Sequence, residues 1–140
     1  MASPQVDVIG EILDQYRTVA VVGLSTNPGK DAHQVPRFVQ ASGYRVVPVN
    51  PFAEEILGEK AYARLCDIPF PIDIVSVFRP SEDVPGIVDD VLETEAKVIW
   101  MQSGIRHEQA AERARRAGLQ VVQDRCMRTE LILRGVPRRE

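Results

Sequence analysis

The sequence predicts an α/β fold, a doubly wound parallel sheet of five strands with helices on both faces. Three observations point there. Five short apolar runs rich in β-branched residues recur along the chain, segments of helical periodicity separate them, and most connections suit only right-handed crossovers between parallel strands. The expected strand order is 3-2-1-4-5 in three α/β/α layers. All of residues 1–140 are expected in one domain, because that length encloses one core and not two.

Val6, Ile9, Leu13 and Tyr16 recur at helical spacing after the start signals Ser3 and Pro4, so a short amphipathic helix opens the chain. TVAVVG, residues 18–23, then reads as a strand: continuous, apolar, too short for a helix and suited to burial on both faces. The next helix begins no earlier than about Asp31, because of Pro36, and stops near Gly43. RVVPV, residues 45–49, is the second strand. A long irregular connection spans residues 50–72, with a short helix expected around residues 59–65. DIVSVF, residues 73–78, is the third strand. In SEDVPGIVDDVLE, Ser81 reads as an N-cap, Glu82 and Asp83 suit the positive helix end, and Val84, Ile87, Val88, Val91 and Leu92 form one apolar stripe. KVIWM (97–101), an alanine- and arginine-rich helix (106–117) stopped by Gly118, and LQVVQ (119–123) complete the alternation.

Apolar residues at 44% and charged residues at 26% are ordinary for a globular protein, which argues against disorder and against a membrane span. The opening MASPQVDVIGEIL has no basic leader before an apolar run, so a cytoplasmic protein is expected. Cys66 and Cys126 are far apart, which favours free thiols, and the lack of CxxC or HxxxH spacing argues against a metal site. A net charge of -3 offers no general attraction to nucleic acid. The basic tail RGVPRRE, residues 134–140, could touch a phosphate or stand as a solvated end.

In a sheet of this kind ligands bind at the carboxyl ends of the strands. The first such end, GLSTNPGKD, asks for phosphates. It is not a P-loop, because five residues instead of four separate Gly23 from Gly29, and Lys30 is followed by Asp31 where a magnesium-binding Ser or Thr belongs. Nor does it match the dinucleotide fingerprint, which would have glycines where Ser25 and Pro28 stand and an acid where the second strand ends in Asn50. What remains is shared physics. Gly23 permits a tight turn, and the amides that follow, with the Ser25 and Thr26 hydroxyls, can donate to a pyrophosphate near a helix N-terminus.

Taken in order, GLSTNPGKD, VNP (49–51), GEKAYARLCDIP (58–69), FRP (78–80), WMQSGI (100–105) and DRC (124–126) resemble the small stand-alone coenzyme A-binding proteins of Rossmann-like fold. These are similar in turn to the N-terminal domain of the succinyl-CoA synthetase α-subunit. The resemblance implies coenzyme A, or an acyl-CoA, bound across the strand tips. On that basis Gly23, Ser25 and Thr26 face the pyrophosphate and Lys30 supplies a cation. Asn50 and Pro51 border the adenosine, where an acid would repel the 3′-phosphate. Phe78 and Pro80 wall the adenine or the pantetheine arm, and Arg79 is a second candidate for phosphate. Gln102 and Ser103 bond the pantetheine amides, and Cys126 stands where the ligand's thiol could arrive. The competing expectations are an ion pair of Arg79 with Glu82 or Asp83, core packing of Phe78 and Trp100, and an inert buried Cys126.

No nucleophile–base pair, metal set or acid pair stands out, so no catalytic residue is expected; His33 and His107 both fall near helix starts, where they are expected as partly exposed polar residues of the first turn. Succinyl-CoA synthetase itself works through a phosphohistidine in a further domain. The leading expectation is a non-catalytic binder of coenzyme A, with a protein partner left open. The alternatives are a small NAD(P)-dependent oxidoreductase and a nucleotide-free structural domain.

Overall fold

The computed structural model describes residues 7–135. Helix α1 (Val8–Gln15) is followed by β1 (Thr18–Val22), α2 (Asp31–Ala41), β2 (Arg45–Val49), a small hairpin of β3 (Glu55–Ile56) and β4 (Glu59–Lys60), β5 (Ile74–Val77), α3 (Val84–Leu92), β6 (Val98–Met101), α4 (Glu108–Arg116), β7 (Gln120–Val122) and α5 (Met127–Leu133). The five apolar runs all become parallel strands of one sheet. Every residue of β5 and β6 is buried, as a strand covered on both faces requires.

Side chains alternate between the two faces, and each face has its own helices. Val19, Val21, Val46, Ile74, Val98 and Trp100 pack with Ile12 and Leu13 of α1, Val35 and Val39 of α2, and Met127 and Leu131 of α5. Ala20, Val47, Val75, Val77 and Ile99 pack with α3 and with the alanines Ala110, Ala111 and Ala114 of α4. Three layers result, as the sequence predicts. Trp100 is fully buried in the core, and its indole Nε1 donates to the Arg125 carbonyl at 2.8 Å.

The strand order differs from expectation. Spatially it is β2-β1-β5-β6-β7, so the third of the five long strands lies beside the first and not beyond the second. The reason lies at the outer edge of β2. Pro48 points its carbonyl outward, where it accepts the Tyr62 amide at 3.0 Å, and the Asn50 amide donates to the Tyr62 carbonyl at 2.9 Å. In a parallel strand the N–H lies on the same side as that carbonyl, and proline has none, so β2 is built as an edge strand. The connector then covers it: Tyr62 and Phe70 meet edge to face, and the Arg45 guanidinium lies 3.8 Å from the Phe70 ring centre.

Local starts and stops show similar departures. The expected helix over residues 59–65 is replaced by the β3–β4 hairpin, because Leu57 and Gly58 both take positive φ in a tight two-residue turn, and by a 3-10 turn over Leu65–Asp67. Helix α1 is capped by Asp7, which accepts the Gly10 amide; Ser3, Pro4 and Val6 lie outside the described residues. Ser81 does not cap α3. A 3-10 turn over Ser81–Asp83 leads into that helix, and the Ser81 hydroxyl accepts the Arg106 amide at 3.0 Å. Helix α5, absent from the elements the sequence predicts, closes the α1–α2 face.

His107 is the N-cap of α4, its Nδ1 accepting the Ala110 amide at 3.1 Å. The ring nitrogen thus satisfies one of the first-turn donors. His107→Ala is expected to lower stability by about 1 kcal/mol in chemical denaturation, and His107→Asn to restore most of it.

Candidate functional site

The carboxyl ends of β1, β2 and β5 border a cleft of about 670 Å³, a volume suited to a cofactor-sized ligand. Eight residues singled out in the sequence come together in its lining: Gly23, Ser25, Thr26, Lys30, Asn50, Pro51, Phe78 and Arg79. They arrive from three strand ends and the start of α2.

The glycine turn is the tightest point. Gly23 has φ +90°, and a Cβ built there would lie 2.6 Å from the Phe78 carbonyl oxygen and 3.1 Å from Cδ of Arg79. Its amide donates to the Val49 carbonyl at 3.1 Å. Gly23 therefore lets the backbone leave β1 between the ends of β2 and β5, which no residue with a side chain could do without strain.

Beyond Gly23 the loop is held by its own bonds. The Ser25 amide donates to the Ala32 carbonyl at 3.0 Å, the Asn27 amide to Ser25 Oγ, and the Gly29 amide to Asn27 Oδ1. His33 donates from Nδ1 to the Ser25 carbonyl at 2.7 Å. Pro36 explains the first of these. In an unbroken helix residue 36 would donate to the carbonyl of Ala32; proline has no N–H, and the freed carbonyl anchors the loop instead. The Ser25 amide is consequently not free for a phosphate, contrary to the simplest expectation from the sequence. The Thr26 amide and the first-turn amides of Asp31 and Ala32 have no acceptor among the described residues, whereas Leu24 is fully buried beneath the loop. With Lys30 at the N-cap of α2, these amides make that bank of the cleft donor-rich, with the exposed Asp31 carboxylate in the same first turn.

Asn50 lines the cleft, with its side-chain amide already bonded. Its Nδ2 donates to the Leu24 carbonyl at 3.0 Å and its Oδ1 accepts the Phe52 amide at 2.8 Å. Both ends of the amide are committed to backbone, so Asn50 ties the loop after β1 to the loop after β2. It leaves that end of the cleft uncharged. Pro51 is exposed on the rim, and beside it Phe52 is 95% exposed.

The charges are unevenly partnered. Arg79 pairs with Asp83 at 2.8 Å, the second of the two partners open to it in the sequence, while Lys30 and Arg64 have no carboxylate within ion-pair distance among the described residues. Phe78 is half-buried, contributing both to the core and to the cleft wall. The sequence reading missed Phe52, Arg64, Asp83 and Asp90 as lining residues. Arg64 and the carboxylates reach the cleft only through the path of the connector and the turn of α3.

Three expected residues are placed elsewhere. Gln102, 2% exposed, donates from Nε2 to Ser76 Oγ at 2.9 Å and accepts the Met127 amide on Oε1 at 2.9 Å, joining β5 to the start of α5. Ser103 is exposed, and Cys126 packs at the N-cap of α5 against the α1–α2 face. None of the three lines the cleft, and neither does Pro80, which is exposed at the start of the Ser81–Asp83 turn. Among the described residues no group of three or more His, Cys, Asp or Glu could hold a metal ion, and no helix is long and apolar enough to cross a membrane.

A family model described as a CoA binding domain matches residues 17–132. The chain is 43% identical over 128 residues to the uncharacterized protein YneT of Bacillus subtilis, covering 91% of this chain and 95% of that one. It is 30% identical over 95 residues to the ADP-forming acetate–CoA ligase II of Archaeoglobus fulgidus, covering 66% of this chain but only 14% of the ligase. Among solved structures, a protein from Thermus thermophilus superposes with a TM-score of 0.85 at 41% identity, over 89% of this chain and 95% of that one. A hypothetical protein from Pyrococcus horikoshii does so with a TM-score of 0.87 at 35% identity, over 95% and 98%.

Proposed function

The chain belongs to the CoA-binding domain family, and we propose that it binds coenzyme A or an acyl-CoA in the cleft at the ends of β1, β2 and β5, as a binding module without catalysis of its own. One observation carries the reading. The unpaired Thr26 amide, the start of α2 and the Lys30 ammonium lie on one bank of the cleft, and the end of β2 bears an amide instead of an acid. Donors without acceptors suit a pyrophosphate. An uncharged Asn50 tolerates a further phosphate on the ribose, which the carboxylate of a dinucleotide site would repel.

The lining offers no His or Cys, and its two acids are Asp83, already paired with Arg79, and Asp90. That composition fits holding a ligand better than transforming it. The ligase relatives carry this segment as a small part of a longer chain, which fits a binding role for it within their reaction. A carrier, a sensor, or a subunit that delivers coenzyme A to a partner protein would each use such a module.

Calorimetric titration tests the reading. Coenzyme A is expected to bind saturably and NADH not to bind; equal weak heats from both would contradict it. Lys30→Ala is expected to weaken coenzyme A binding by roughly tenfold, the loss of one charge-assisted contact. Because Lys30 is exposed, the same change is expected to alter stability by less than about 0.5 kcal/mol in thermal unfolding.

A further inference from the structure

We infer that Arg64 selects a ligand whose adenosine ribose carries a phosphate; the inference rests on the proposed coenzyme A site and adds a specificity residue to it. Three cations line the cleft: Lys30, Arg64 and Arg79. Lys30 stands at the start of α2, on the bank of the glycine turn. Arg79 is tied to Asp83 at 2.8 Å, and its aliphatic stem crowds Gly23. Arg64 alone comes from the other bank.

Its place there is set by backbone bonds. Tyr62 forms a parallel bridge with Val49, its carbonyl accepting the Asn50 amide, so the chain two residues before Arg64 is fixed to the last residues of β2. The end of the second strand is where doubly wound folds read the adenosine ribose: an acid there bonds the hydroxyls, and a nearby arginine accommodates a ribose phosphate. Here the acid is replaced by Asn50, whose amide is used up on backbone at both ends. Arg64 is exposed, extended at its backbone, and has no carboxylate partner among the described residues. A guanidinium free of carboxylates, beside a strand end free of charge, matches a phosphate in a way that it does not match a bare hydroxyl.

The test compares coenzyme A with dephospho-coenzyme A, which differ only in the ribose phosphate, on the parent chain and on Arg64→Gln. The parent is expected to prefer coenzyme A by about tenfold at low ionic strength. Arg64→Gln is expected to remove that preference by weakening coenzyme A alone, with dephospho-coenzyme A unchanged, and Arg64→Lys to restore part of it. Equal affinities for the two ligands in the parent would overturn the inference and leave the coenzyme A reading standing, as would a preference that survives in Arg64→Gln. A parent chain that binds neither ligand would overturn the coenzyme A reading itself.

Discussion

Gly23→Ala is expected to unfold roughly 10 °C below the parent and to bind coenzyme A at least tenfold more weakly, a stability loss of about 3 kcal/mol. Two separate costs add. A residue with a Cβ is strained at φ +90°, and that Cβ would lie 2.6 Å from the Phe78 carbonyl oxygen, which belongs to backbone and cannot rotate away. Gly118→Ala serves as the control. It has φ +96° with no atom within 4 Å of the space an added methyl group would fill, so it carries the conformational cost alone, about 1 kcal/mol. Binding suffers in Gly23→Ala and not in Gly118→Ala, because relief of the clash must move the loop that carries the Thr26 amide and leads to Lys30. A Gly23→Ala protein with the melting temperature and affinity of the parent would show that β1 does not leave the sheet through this gap.

Asn50→Asp is expected to reduce coenzyme A affinity by about a hundredfold at low salt and to lower stability by about 2 kcal/mol. The new carboxylate keeps its bond from the Phe52 amide but turns an oxygen toward the Leu24 carbonyl, where Asn50 now donates. It also brings a negative charge to the end of β2. Asn50→Ala loses both bonds without adding charge, so the salt-dependent part of the difference between the two variants reports the charge. That difference is expected to shrink as ionic strength rises, since exposed charges are screened. Equal affinities for the two variants at low salt would mean that no phosphate lies near this strand end.

The strands are legible in the sequence because burial on both faces demands continuous apolar residues: the apolar runs match β2 at both its ends, and β1, β5, β6 and β7 to within one residue at either end. Their order is open to misreading although a signal is present. Pro48 inside the second strand marks an edge, and an order with β2 in the interior would need the N–H that proline lacks. The β3–β4 hairpin is hidden because Leu57, not the usual Asn or Asp, precedes Gly58 in its turn.

The site divides along similar lines. Residues adjacent to a strand end on the β2–β1–β5 side, such as Gly23, Asn50 and Arg79, can be placed from the alternation alone. Arg64 cannot, because its position depends on the Tyr62 pairing within an irregular connector. Gln102 reads as a strand-tip ligand, but α5 begins directly over it, and its side chain serves the Met127 amide. The commitment of the Ser25 amide to Ala32 depends on Pro36, further along the chain, and so is visible only once the helix and loop are brought together.

The most direct measurement is an amide NMR titration of the uniformly ¹⁵N-labelled protein with coenzyme A. The largest shifts are expected at Thr26, Asp31 and Ala32, whose N–H groups gain phosphate acceptors, with further changes at Asn50 and Arg64 and little change at Gln102, Ser103 and Cys126. Shifts centred on those last three residues, with Thr26, Asp31 and Ala32 unmoved, would contradict the account.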